Sequence, residues 1–215
     1  MKMNYTKTIR EYCLQNKGDI FDVSYMKDAY FEMVPYKTLL KILNRLEEEN
    51  ILTGIAKGEY LINAEGASID SAIIRRYISD DHGMYAGQAM FRELWITMHK
   101  VEVVEIYTNH LNVEHKSIGN YQLTRVDVPF TDRIVPLIQL LDCIEKGHTV
   151  VDGSIIRLQE VINELTEQYT DGGFYSLIRK KDYRYSTIVT LSELLNNKGI
   201  ENRCIEFYKG ACDKQ

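Results

Sequence analysis

The clearest periodic segment of the chain is residues 35–50 (PYKTLLKILNRLEEEN). At about 100° per residue, Tyr36, Leu39, Leu40, Ile42, Leu43 and Leu46 fall on an arc of about 160°, the width of a core-facing helix side. Pro35 suits the first turn of that helix. Residues 5–16 predict an earlier helix with Ile9, Tyr12 and Cys13 on one face, ended by Asn16-Lys17-Gly18. Residues 19–21 read as a short extended piece, and Asp22 as the N-cap of a helix over 23–30. After the periodic helix, 51–56 (ILTGIA) and 59–63 (EYLIN) flank Lys57-Gly58 as a β-hairpin. Three helices followed by a hairpin describe a winged helix-turn-helix, with the third helix as the recognition helix.

A polar joint at 64–70 leads into a second region. Helices are predicted over 69–79, 86–95, 132–145, 154–168 (Ser154 as cap), 173–181 and 185–197. Strands are predicted over 101–108, 121–128 and 203–208, with room for a short extra strand between the first two. The expected fold class is α+β: a winged helix over 1–66 and a mixed α/β domain over 67–215.

Composition adds little beyond solubility. Of 215 residues, 45% are apolar and 27% charged, ordinary for a globular protein. No apolar run approaches the 18 or more residues of a membrane helix. Met1-Lys2-Met3-Asn4-Tyr5 lacks the apolar core of a signal peptide, so the expected compartment is the cytoplasm. Cys13, Cys143, Cys204 and Cys212 show no CxxC or CxxH spacing and read as reduced thiols, buried or inert.

Charge is unevenly placed. Residues 1–63 hold nine Lys/Arg and nine Asp/Glu, and the remainder holds 17 and 22, so the net charge of −5 belongs to the second region. DNA contact is therefore sought in the first. Opposite the apolar arc of the third helix, Lys37, Thr38, Lys41, Asn44 and Arg45 share about 120°. A major groove about 12 Å wide admits one helix. Lys and Arg neutralise phosphates there, while Asn and Arg form bidentate contacts with base edges. Lys57 would reach from the wing. Glu48 on the same face and the neutral balance of the region argue for weak binding by one copy, and for a paired site.

Enzyme chemistry is sparse. No phosphate-binding, dinucleotide, zinc-protease or nucleophile-elbow motif occurs, and neither a catalytic residue nor a cofactor is expected. His110 and His115 lie on a predicted loop without an evident third ligand, so no metal site is expected. Glu114-His115-Lys116 with Asp80 or Asp81 upstream is the one pattern compatible with magnesium-dependent phosphodiester cleavage, and it falls past the strand. The late cluster Tyr169, Tyr175, Tyr183, Tyr185 and Tyr208 reads as a core edge with wet hydroxyls.

The order of several short motifs resembles one family. The run Leu43-x-x-Leu46, Ile51-Leu52 and Ala56-Lys57-Gly58-Glu59-Tyr60 is similar to the end of the winged helix in AbiEi-like antitoxins of abortive-infection (type IV) toxin–antitoxin systems. Gly83-Met84-Tyr85-Ala86-Gly87-Gln88-Ala89, then Glu93-Leu94-Trp95-Ile96-Thr97, resemble the segment after that domain. Val103-Val104-Glu105-Ile106-Tyr107-Thr108-Asn109, Val128-Pro129-Phe130-Thr131-Asp132-Arg133 and Leu137-Ile138-Gln139-Leu140-Leu141-Asp142 continue the likeness. It covers about residues 5–145 and leaves 146–215 unmatched. The Ala56-Lys57-Gly58 turn departs from the more basic Arg-Gly turn of the family. The resemblance implies a repressor of its own operon that binds double-stranded promoter DNA through the winged helix; the weak binding expected of one copy adds self-association on paired sites. It also implies an antitoxin role for the second domain, opposed to a nucleotidyltransferase-like toxin that it need not touch. The competing readings are a winged-helix adaptor that binds protein alone and, last, the nuclease.

Overall fold

The structure, a computed structural model, describes residues 4–212. It has an α+β fold in two compact units, residues 4–79 with 117–119 and residues 80–116 with 120–212.

In the first unit, helix α1 (Tyr5–Gln15) is capped by Asn4, whose side chain accepts the Lys7 N–H at 3.2 Å. The chain turns at Gly18, whose φ of +86° suits glycine, into strand β1 (Ile20–Asp22). Asp22 caps α2 (Val23–Ala29) through the Tyr25 N–H at 2.9 Å, as its position predicts. Helix α3 (Tyr36–Glu48) begins just after Pro35. Strands β2 (Leu52–Ala56) and β3 (Glu59–Ile62) follow. The sheet order is β1-β3-β2, antiparallel throughout, with Leu52 opposite Ile62 and Ile20 opposite Leu61. Ile9, Phe21, Met26, Leu39, Leu43 and Leu46 are among the residues that fill the core beneath it. Tyr12 meets Phe21 and Phe31 edge-on at 6.1 and 5.7 Å.

The first unit continues past residue 66. Helix α4 (Ile69–Tyr77) starts on a capping box between Ser68 and Ser71. It is tied back by the Arg75–Asp19 ion pair at 2.6 Å, and the Tyr77 hydroxyl donates to Glu59 Oε1 at 3.3 Å.

In the second unit, strand β4 (Gly83–Ala86) leads into helix α5 (Gly87–Glu93). Strands β5 (Val104–Thr108), β6 (His115–Ile118) and β7 (Tyr121–Arg125) complete a sheet of order β4-β5-β7-β6. Strand β4 is antiparallel to β5, and β5 is parallel to β7. Helices α6 (Val135–Lys146), α7 (Ile155–Thr166), α8 (Asp171–Ile178), α9 (Tyr185–Asn197) and α10 (Cys204–Cys212) complete the unit. Pro136 sits in the first turn of α6, where no backbone N–H is needed. Ser154 caps α7 through the Arg157 N–H at 3.2 Å. The expected strand at 203–208 is instead the start of α10. Cys204, Phe207, Tyr208 and Ala211 follow helical spacing and pack on the core of this unit. Of the late tyrosines, Tyr169 and Tyr183 are buried, while Tyr175 contacts Phe207 and Tyr185 contacts Tyr208.

This core also encloses charge. Asp142 on α6 is fully buried and meets Lys146 and Lys181, each at 3.0 Å. The Tyr107 hydroxyl donates to it at 3.0 Å and accepts from Lys146 at 2.7 Å. The Lys181 ammonium stands 3.9 Å from the centre of the Tyr183 ring. Burial raises the Asp142 carboxyl, but Lys181 and Lys146 more than offset this and hold it below the ordinary aspartate range. Burial lowers the Lys181 ammonium despite the same partner.

Three cysteines, Cys13, Cys143 and Cys204, are free and buried. Burial pushes their thiols up to about 11, 12 and 11. No helix among the described residues is long and apolar enough to cross a membrane.

Candidate nucleic-acid interface

The site begins with how α3 seats itself. Leu39, Ile42, Leu43 and Leu46 are buried, which fixes the helix's rotation. Lys37, Lys41, Asn44 and Arg45 are consequently exposed, and Thr38 is half-exposed. Tyr36, expected on the core arc, is exposed because it opens the helix beyond the end of the core.

Lys37, Lys41 and Arg45 form a row at i, i+4 and i+8. None of them forms an ion pair among the described residues, and neither does Lys57. Other cations of the unit are used by the fold. Arg10 pairs with Glu49 at 2.8 Å, which raises the guanidinium and lowers the carboxyl. Arg76 lies 5.1 Å from the Tyr25 ring centre. The acids of α3 do not neutralise the row. Glu47 accepts the Gly54 N–H at 3.0 Å, toward β2. Glu48 is exposed and unpaired among the described residues.

A groove of about 470 Å³ joins Thr38, Lys41 and Arg45 to Asn4, Tyr5 and Thr6 at the start of α1. The first-turn amides of a helix carry partial positive charge. Two cations and a helix start therefore face one open space, an arrangement that suits a phosphate. Asn4 and Thr6 were not singled out from the sequence. Their approach to α3 is tertiary, and no local pattern announces it.

The hairpin closes at Lys57-Gly58, where Gly58 has φ +76° and its carbonyl accepts the Val23 N–H at 2.9 Å. Lys57 is exposed at the tip. The base beneath is acidic, since Asp22 pairs in register with Glu59 and both are buried. Burial, followed by Glu59, raises the Tyr77 hydroxyl there.

The residues of the nuclease pattern are not brought together. Asp80 and Asp81 precede β4 at one edge of the second sheet. Glu114, His115 and Lys116 lie at β6 on the other edge, with β5 and β7 between. His115 and Lys116 are strand residues, not loop residues as expected. His110 stacks on His82 with ring centres 3.7 Å apart, and His115 Nδ1 lies 3.2 Å from the Thr124 hydroxyl. Among the described residues no three His, Cys, Asp or Glu side chains are grouped to hold a metal ion.

No protein-family model matches this sequence, and no curated protein matches it.

Proposed function

We propose that the protein is a cytoplasmic, non-enzymatic DNA-binding repressor that acts on double-stranded DNA upstream of its own gene, in the manner of an AbiEi-like antitoxin. The observation that carries this reading is the unpaired cation row Lys37, Lys41 and Arg45 on the outer face of α3. Like charges at i,i+4 destabilise a helix, so the fold gains nothing from the row, while a polyanion would. The element order and the β1-β3-β2 sheet agree with a winged helix whose third helix enters a major groove. Lys37, Lys41 and Lys57 would hold phosphates, Thr38 would add a hydroxyl, and Asn44 and Arg45 would read base edges. The toxin opposed by such a protein would be nucleotidyltransferase-like, and the reading requires no contact between the two.

Binding to the gene's own upstream duplex, compared with a scrambled duplex across a salt series, tests this. Three phosphate-contacting cations predict that log K falls against log salt with a slope of roughly −3. Equal affinity for both duplexes at every salt concentration would exclude the regulator. A Lys41→Ala/Arg45→Ala double variant that still binds the specific duplex with the unaltered slope would exclude this face.

A further inference from the structure

Trp95, the only tryptophan of the chain, occupies an unusual position in the second unit. At the end of α5 the Ile96 N–H reaches the Phe91 carbonyl at 2.9 Å and the Trp95 N–H reaches that of Arg92 at 3.0 Å. The residue closing such a helix end adopts left-handed φ and is usually glycine. Trp95 holds φ +60° there, with 69% of its surface exposed. A residue with a side chain is disfavoured in that conformation, and an exposed indole gives the isolated unit nothing in return.

Its surroundings supply a use. Trp95 and Met98 border a groove of about 540 Å³ whose walls include Tyr85, Val104 and Tyr121. Beside it, Thr97 forms a bridge to Gly153 and the Ser154 N–H donates to the Ile96 carbonyl at 2.8 Å. This brings Ile155 and Ile156, at 82% and 75% exposure, next to the same edge. Arg92 and Glu93 line the groove side by side, and neither has an ion pair or a side-chain hydrogen bond among the described residues.

We propose that two copies of this chain associate through this face about a two-fold axis. A two-fold interface must be self-complementary, each residue meeting in the other copy the residue that meets it in return. The face carries both halves of such a match. Projecting apolar side chains stand beside an apolar groove that can receive them, and an unpaired cation stands beside an unpaired anion. Arg92 of each copy would pair with Glu93 of the other, twice over. Net charge also selects this face. Copies carrying −5 each repel overall, but at this groove Arg92 is matched by Glu93. A stable interface covers about 800 Å² per partner. One aromatic side chain supplies about 150–250 Å² of that, and Trp95 is joined by Met98, Ile155, Ile156 and the groove walls. The association goes beyond the DNA reading and does not depend on it.

Sedimentation equilibrium of the full chain without DNA tests the proposal, with a DNA titration run separately so that either reading can fail alone. The expected wild-type mass is that of two chains, and tryptophan emission shifts to the red on dilution as the indole becomes wet. Trp95→Asp, Arg92→Glu and Glu93→Arg should each weaken association at least tenfold. The exchanged pair Arg92→Glu/Glu93→Arg should restore it, which also shows that the single variants fold. A wild-type chain that remains monomeric at every concentration overturns the proposal. So do single variants that dimerise like the wild type, or an exchanged pair that stays monomeric when the singles are.

Discussion

Helices α3 and α6 are nearly equal in length and use the same kind of residue in opposite ways. On α3 the i,i+4 neighbours Lys37, Lys41 and Arg45 repel one another and point away from the fold. On α6 the i,i+4 neighbours Asp142 and Lys146 attract, and Lys181 completes the cluster inside the core. The difference shows that a cation's role is set by what its helix face meets. A lysine folded onto a buried carboxylate belongs to stability. A row of lysines kept apart from every carboxylate weakens its own helix and points to an external partner.

The largest effect that could break this contrast is at Asp142. Asp142→Ala would leave two ammonium groups without their countercharge, and breaking a buried pair costs about 3–5 kcal/mol. Urea denaturation measures this, and a loss near zero would remove Asp142 from any structural role. Next comes the salt dependence of DNA binding. Lys41→Ala/Arg45→Ala should reduce the slope by about one, for the lost Lys41 phosphate contact, and relax the sequence preference through Arg45, whereas Lys146→Ala should leave the slope unchanged while destabilising the second unit.

The two helices should also differ in acid. The folded Asp142 carboxyl is held below its unfolded value, so its contribution is fully present above about pH 4 and is lost as pH falls through the lower folded value. Denaturation of the wild type and of Asp142→Asn, followed from neutral pH down to about 2, should therefore converge at the acid end. The smallest effect is the sharpest test of α3. Lys41→Gln removes two like-charge pairs, on the order of 0.2–0.5 kcal/mol each, and should raise stability by roughly 0.4–1 kcal/mol, while weakening DNA binding. A variant that loses stability would mean that Lys41 serves the fold.

The sequence predicts the helices with sustained apolar periodicity well. Those at 36–48, 155–166 and 185–197 lie within a few residues of their expected bounds, because their buried faces alone define the spacing. Asp22 and Ser154 cap where expected because a cap is a local hydrogen bond. Strand β4 has no signature of its own in the sequence. Gly83-Met84-Tyr85-Ala86 has no β-branched residue and owes its conformation to its pairing with β5. The last helix is hidden because 203–208 is rich in the strand-favouring residues Ile205, Phe207 and Tyr208, while the helical spacing of Cys204, Phe207, Tyr208 and Ala211 is complete only when Ala211 is included. The positive φ of Trp95 was hidden inside an apparent helix over 86–95. Within the candidate interface, the exposure of Lys37, Lys41, Asn44, Arg45 and Lys57 followed from the arc and the hairpin. The approach of Asn4 and Thr6, and the acidic base under the wing, required the tertiary structure.

The buried thiols make the chain its own reporter of local opening. With values near 11 to 12, almost none of Cys13, Cys143 or Cys204 is thiolate at neutral pH, and only the thiolate reacts with an alkylating reagent. Each must become exposed before it can be tagged, so tagging rates resolved by peptide follow the opening of its own surroundings. Cys13 times the unit that carries the cation row. Cys143, adjacent to Asp142, and Cys204 time the other. One experiment on the unaltered chain would therefore show whether adding duplex DNA slows tagging at Cys13 alone, or whether protection at one unit is transmitted to the second.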